Sequence, residues 1–209
     1  MVEIELKSNE IKEDIYLKLN KDRNTPIYDT DLDKIEHLNL NSLDFLDEPT
    51  DISLYDLVFF KNLKSCCIID KVISENETEL LSKLKSIETI QFTRCVFPDN
   101  MDVNLCVEYL ILDKCPNIKI ARFKGIKTLK QLRIVNCDNI DIDGISSLEN
   151  VTGLYLQSLY LDNIDEIENM NKLQYLNLNG TKIKKEITKI GNNDRLKIVH
   201  EEMNFMYDE

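Results

Sequence analysis

Seven or eight times along this chain the same spacing of apolar residues returns, and no other feature of the sequence restricts the fold as much. The clearest copy is Val107-Glu-Tyr-Leu110-Ile-Leu112-Asp-Lys-Cys115, apolar at its first, fourth and sixth places, with a cysteine at the ninth. Ile87-x-x-Ile90-x-Phe92-x-x-Cys95-x-Phe97 and Leu129-x-x-Leu132-x-Ile134-x-x-Cys137 repeat it. Val151-x-x-Leu154-x-Leu156-x-x-Leu159-x-Leu161 and Leu173-x-x-Leu176-x-Leu178-x-x-Thr181-x-Ile183 follow. Looser copies are Ile35-x-x-Leu38-x-Leu40-x-x-Leu43-x-Phe45 and Leu63-x-x-Cys66-x-Ile68-x-x-Lys71-x-Ile73, and a weak last one starts at Leu196-x-x-Val199. Successive starts lie 28, 24, 20, 22, 22, 22 and 23 residues apart. A period of this kind marks stacked units, because one such unit cannot bury its apolar face alone.

Within a unit, places four and six share one face of a short strand, since side chains alternate with period two. They point inward, the ninth residue turns the chain, and the remainder returns on the outside, bringing Ile118, Ile140 or Ile164 to the core. The frame resembles the leucine-rich repeat, L-x-x-L-x-L-x-x-N/C-x-L, over roughly residues 35–205. That resemblance implies an α/β solenoid: a curved right-handed coil, with a parallel sheet on the concave side and irregular or short helical segments on the convex side. The 22-residue coils are similar to the short repeats of phosphatase-regulating and internalin-type proteins. Cysteine at the ninth place is similar to the repeats of ubiquitin-ligase adaptors, although no F-box is evident upstream.

Residues 1–34 read as an N-terminal cap, either a hairpin or a degenerate repeat. The hairpin is preferred because Ile15-x-Leu17-x-Leu19 alternates as a strand does. Residues 35–195 hold about seven repeats, and 196–209 a degenerate last repeat and C-terminal cap. Short convex-side helices are expected within Asp51–Phe60 and Asn76–Leu84.

Composition narrows the function. Hydrophobic residues are 43% of the chain, enough for a core, while 5 Gly and 4 Pro are too few for a disordered or collagen-like protein. The absence of an 18-residue apolar run predicts no membrane span. An N-terminus of mixed charge and six cysteines with no CxxC suggest reduced thiols in a cytoplasmic or nuclear protein. The sequons at Asn76, Asn150 and Asn179 are then chance matches.

Net charge is −12, with 15 acids against 7 bases in residues 1–62. Such an acidic protein opposes general nucleic-acid binding and favours basic partners. No phosphate-loop, dinucleotide, zinc-protease or nucleophile-elbow motif occurs. His37 and Cys67 fall on adjacent coils but lack an orienting residue, so the chain reads as non-enzymatic. Cys95, Cys115 and Cys137 form a flat column; thiols bonded to turn backbone suit it better than zinc, which needs about four tetrahedral ligands. Neither a metal nor a cofactor is expected.

Places three, five and seven stand on the concave sheet, and only 3 of their 24 residues are charged. Tyr109, Ile111, Arg133, Val135, Tyr155 and Tyr175 come from four consecutive coils and should form one patch. Charge depletion with Tyr and Arg enrichment characterises the centre of protein interfaces. The expected partner is therefore another protein, bound on the concave face by a scaffold or regulatory subunit. A separate basic run, Lys114, Lys119, Arg122, Lys124, Lys127, Lys130 and Arg133, offers the alternative of phosphate contact in a ribonucleoprotein or other nucleic-acid assembly. The simpler reading of that run is a solvated convex face screened by acids on neighbouring coils.

Overall fold

The structure, a computed structural model, describes residues 1–40, 53–99, 101–162, 164–184 and 196–199. Strands β1 (His37–Leu40), β2 (Ser65–Ile69), β3 (Thr89–Thr93), β4 (Tyr109–Asp113), β5 (Gln131–Val135), β6 (Gly153–Gln157), β8 (Tyr175–Asn177) and β10 (Lys197–Val199) form one eight-stranded sheet. Every neighbouring pair in it is parallel. Between them, β7 (Tyr160–Leu161) and β9 (Lys182–Ile183) pair in a second, two-stranded parallel sheet.

The register explains the spacing. Leu38, Cys66, Ile90, Leu110, Leu132, Leu154, Leu176 and Ile198 face one another in a single row across the sheet. All but Ile198 are buried, as are the place-six residues Leu40, Ile68, Phe92, Leu112, Ile134, Leu156 and Leu178. Place eight turns each coil in the left-handed region, at Asp70, Arg94, Lys114, Asn136, Ser158 and Gly180, with φ between 52 and 69°. Place nine then ties adjacent coils together. The thiols of Cys95, Cys115 and Cys137 donate to the place-six carbonyls of Ile68, Phe92 and Leu112 at 3.3, 3.4 and 3.5 Å. The hydroxyl of Thr181 donates to Leu156 O in the same way, at 2.7 Å.

On the returning side, Ile118, Ile120, Ile142 and Ile164 are buried, whereas Ile140 is only partly so. In the coil after β5 the inward residue is thus Ile142, two positions beyond the expected one. Two of the expected short helices form. Leu54–Phe59 makes a 3-10 segment. Helix α3 (Glu75–Ser82) starts on a capping box between Ser74 and Glu77.

The N-terminus departs from expectation. Residues Asn9–Leu19 are helix α1, not a strand, and a short helix, α2 (Asp29–Leu32), follows it. Ile11 and Ile15, four apart, are fully buried, while Leu17 is 67% exposed. The five-residue alternation at 15–19 was compatible with either period, and the Ile11/Ile15 face decides for the helix. Ser8 caps it by accepting from Ile11 N, and the extended ends of the cap pair through Glu3 and Tyr28, antiparallel. Below the cap, the buried carboxylate of Asp56 accepts from the N–H groups of Lys7 and Ser8, at 2.8 and 2.7 Å.

The last coil also shifts. Lys197 pairs with Tyr175 and Ile198 with Leu176, so place three is Lys197 and not Ile198. A one-residue slip exchanges the two faces of a strand, and the apolar row needs Ile198 beside Leu176. The parts of the first copy at Asn41, Leu43 and Phe45, and His200, Glu202 and 201–209, lie outside the described residues.

Candidate protein-binding face

All six residues singled out from the sequence lie at concave positions in the expected rows. Tyr109 pairs with Gln131, Gln131 with Gly153 and Gly153 with Tyr175. Ile111, Arg133, Tyr155 and Asn177 form the next row, and Asp113, Val135 and Gln157 the third. Tyr109, Ile111, Val135, Tyr155 and Tyr175 are half-buried and Arg133 is exposed.

Two of them touch directly. The rings of Tyr155 and Tyr175 lie 5.1 Å apart between centroids, tilted by 40°. Gly153 leaves room beside the pair: a Cβ there would sit 3.4 Å from Cε2 of Tyr155 and 3.3 Å from Cγ of Gln131. The Tyr155 ring thus leans over a bare stretch of backbone toward Tyr175. Asn177, buried beside them, donates to the Tyr175 hydroxyl at 3.4 Å and accepts from Gln157 Nε2 at 3.3 Å and Asn179 N at 3.0 Å. Lys197 adds a cation, its Nζ 5.9 Å from the Tyr175 ring centre. The misread register of the last coil hid that residue. Tyr109 stands apart from the ring pair, with Gln131 and Gly153 between it and Tyr175 in the row.

Toward β1 the face turns polar. A depression of ≈ 250 Å³ is lined by Lys18, His37, Leu38, Asn39, Ser65, Cys66, Cys67, Thr89 and Gln91. Nδ1 of His37 bonds Ser65 Oγ at 2.8 Å, and the strand register sets Cys67 opposite Asn39. Burial pushes the Cys67 thiol up, away from the reactive thiolate. The two groups make no nucleophile–base pair.

The basic run is mostly spent on ion pairs. Lys119 and Arg122 meet Asp99 at 3.3 and 2.8 Å, Lys124 meets Asp102 at 3.8 Å and Lys130 meets Glu108 at 2.6 Å. Arg122 is itself buried and also donates to Phe97 O at 3.0 Å. Lys119, then Arg122, holds the Asp99 carboxyl below the usual range. The screening acids come from the preceding coil. Among the described residues no group of three or more His, Cys, Asp or Glu is placed to hold a metal ion, and no helix is long and apolar enough to cross a membrane.

An unclosed sheet of parallel strands, one per twenty-odd residues, with place-nine side chains stitching coil to coil, is a leucine-rich-repeat solenoid. Solved structures agree. The chain is similar to internalin C2 of Listeria monocytogenes, with a TM-score of 0.57 at 16% identity over 93% of each chain. It is also similar to a secreted internalin-like protein of the same bacterium, with a TM-score of 0.51 at 19% identity over 96% of this chain and 68% of that one. At these identities the likeness concerns the fold. No protein-family model matches the sequence, and no curated protein matches it.

Proposed function

We propose that this protein is a non-enzymatic scaffold or regulatory subunit that binds another protein on its concave face. Tyr109, Ile111, Arg133, Val135, Tyr155 and Tyr175 are the anchors. The observation that carries the reading is the tilted Tyr155–Tyr175 pair beside Arg133, whose guanidinium is exposed and has no ion pair or hydrogen bond among the described residues. Aromatic rings and arginine dominate binding energy in protein complexes, and a rigid sheet presents them at low entropic cost. Residues 1–34 serve as the cap, 35–195 as the repeat body and 196–209 as its degenerate close. The six free thiols favour a reducing compartment and hence a cytoplasmic setting. Ion pairs made by four of the seven cations of the basic run weaken the case for phosphate binding through residues 114–133.

Tyr155→Ala combined with Tyr175→Glu tests the reading in a pull-down from native extract. Partner recovery should fall at least tenfold while circular dichroism stays unchanged. Full recovery would move the binding surface elsewhere.

A further inference from the structure

The concave face inverts the charge of the molecule. The chain carries 38 acids and 26 bases. Yet places three and five of the eight strands in the large sheet hold no Asp or Glu, from His37 and Asn39 in β1 to Lys197 and Val199 in β10. Their cations are Arg133 and Lys197, both exposed and neither in an ion pair among the described residues. Asp113, the acid nearest Arg133 in the ladder, stands at place seven opposite Val135. Of the rim acids, Glu36 and Glu108 are taken by Lys64 and Lys130, at 3.2 and 2.6 Å, while Glu88 is exposed with no ion pair among the described residues. Two cations left unpaired beside an aromatic floor, with no acid at places three and five, are complementary to an anion supplied from outside.

We infer that the concave face takes an acidic segment of its partner protein, an extended stretch whose two carboxylates are held by Arg133 and Lys197. This rests on the docking face proposed above. Three steps of ~4.8 Å between strands, and two residues along them, put the Cα atoms of Arg133 and Lys197 about 16 Å apart. At ~3.4 Å per residue that spans four to five residues of extended chain. Apolar residues between the two acids would lie on Tyr155 and Tyr175. The guanidinium takes its carboxylate through two parallel N–H donors, and the ammonium of Lys197, already over the Tyr175 ring, takes the other as a point charge.

The test is selection of a random 12-residue phage-displayed peptide library on the purified full chain, with the same selection on Arg133→Gln/Lys197→Gln and on Tyr155→Ala. Wild type should enrich Asp or Glu at least threefold over the unselected library, paired four to five residues apart. A synthetic peptide from the commonest clone should bind the double variant at least tenfold more weakly. Lys114→Gln/Lys127→Gln, the same charge change on other exposed lysines, should leave its affinity unchanged. Basic or neutral peptides, or no enrichment, overturn the inference. Peptides whose charge preference is wrong but whose binding still falls on Tyr155→Ala would leave the docking face standing and sink only the acidic partner. Binding that ignores Tyr155 sinks the docking face. An oligouridine that binds wild type as tightly as the peptide at 150 mM salt, and loses that affinity on Arg133→Gln, assigns the cations to nucleic acid and also overturns the inference.

Discussion

Asp56→Ala should loosen the N-terminal cap while leaving the middle of the solenoid intact. The Asp56 side chain is buried at 1% exposure, and its Oδ2 accepts from both Lys7 N and Ser8 N, at 2.8 and 2.7 Å. Those donors sit at the entry to helix α1, and Ser8 is itself 1% exposed. Alanine leaves two backbone N–H groups without a partner. Hydrogen bonds to a charged acceptor contribute about 1.5–3 kcal/mol each. Part of this is offset because the carboxylate no longer has to be desolvated, so the net loss comes to about 2–4 kcal/mol. In a chain of this length that is roughly 4–16 °C in Tm if unfolding is cooperative. Each coil of a solenoid contacts only its neighbours, so the loss should appear where it is made. Amide exchange followed by mass spectrometry should therefore speed up about 30-fold or more over α1, with β5 and β6 little changed. Urea unfolding supplies the free energy. A loss under about 1 kcal/mol, or equal acceleration in α1 and β5, would refute the tether.

Three further outcomes are expected. Cys106 is half-buried and should react with a thiol reagent in the native protein, while Cys67, its thiol pushed up by burial, should react more slowly. Cys66, Cys95, Cys115 and Cys137 are buried, with burial pushing Cys95 up to about 11, and should react only on unfolding; prompt modification of Cys95 would contradict the carbonyl-bonded column. Arg94 holds the Asp70 carboxyl below the usual range through a two-pronged contact at 2.6 and 2.5 Å. A carboxyl whose folded pKa is depressed stabilises above its unfolded value and loses that contribution as pH falls. The wild-type advantage over Asp70→Asn should thus shrink as pH falls through and below the usual carboxylate range, and a constant gap in urea titrations would refute the pairing. Lys114 holds φ 52 at the turn of its coil. Lys114→Gly relieves ~1–2 kcal/mol of left-handed strain against ~0.5–1 kcal/mol of added unfolded-state entropy, so a net gain near 0.5 kcal/mol should appear in denaturant midpoints.

The repeat frame was legible because its cause is local. Side chains two apart share a strand face, so Leu110 and Leu112 announce both the core and, between and beside them, the outward-facing Tyr109 and Ile111. The same rule put Arg133, Tyr155 and Tyr175 on one surface without knowledge of any contact. What stayed hidden depended on partners in other coils. The 15–19 segment fits two periods, and the burial of Ile11 and Ile15 chose the helix. Val199 and Ile198 compete for the same inward row, and pairing of Ile198 with Leu176 settled it, placing Lys197 beside Tyr175. Asp56 lies 48 residues from Ser8, and Asp99 lies 23 from Arg122. Neither separation belongs to any local pattern. The sequence by itself determined the coil and which side of it faces out, because alternation acts between near neighbours. Only stacking decided which charges are paired and which are left open, because that depends on the offset between one coil and the next.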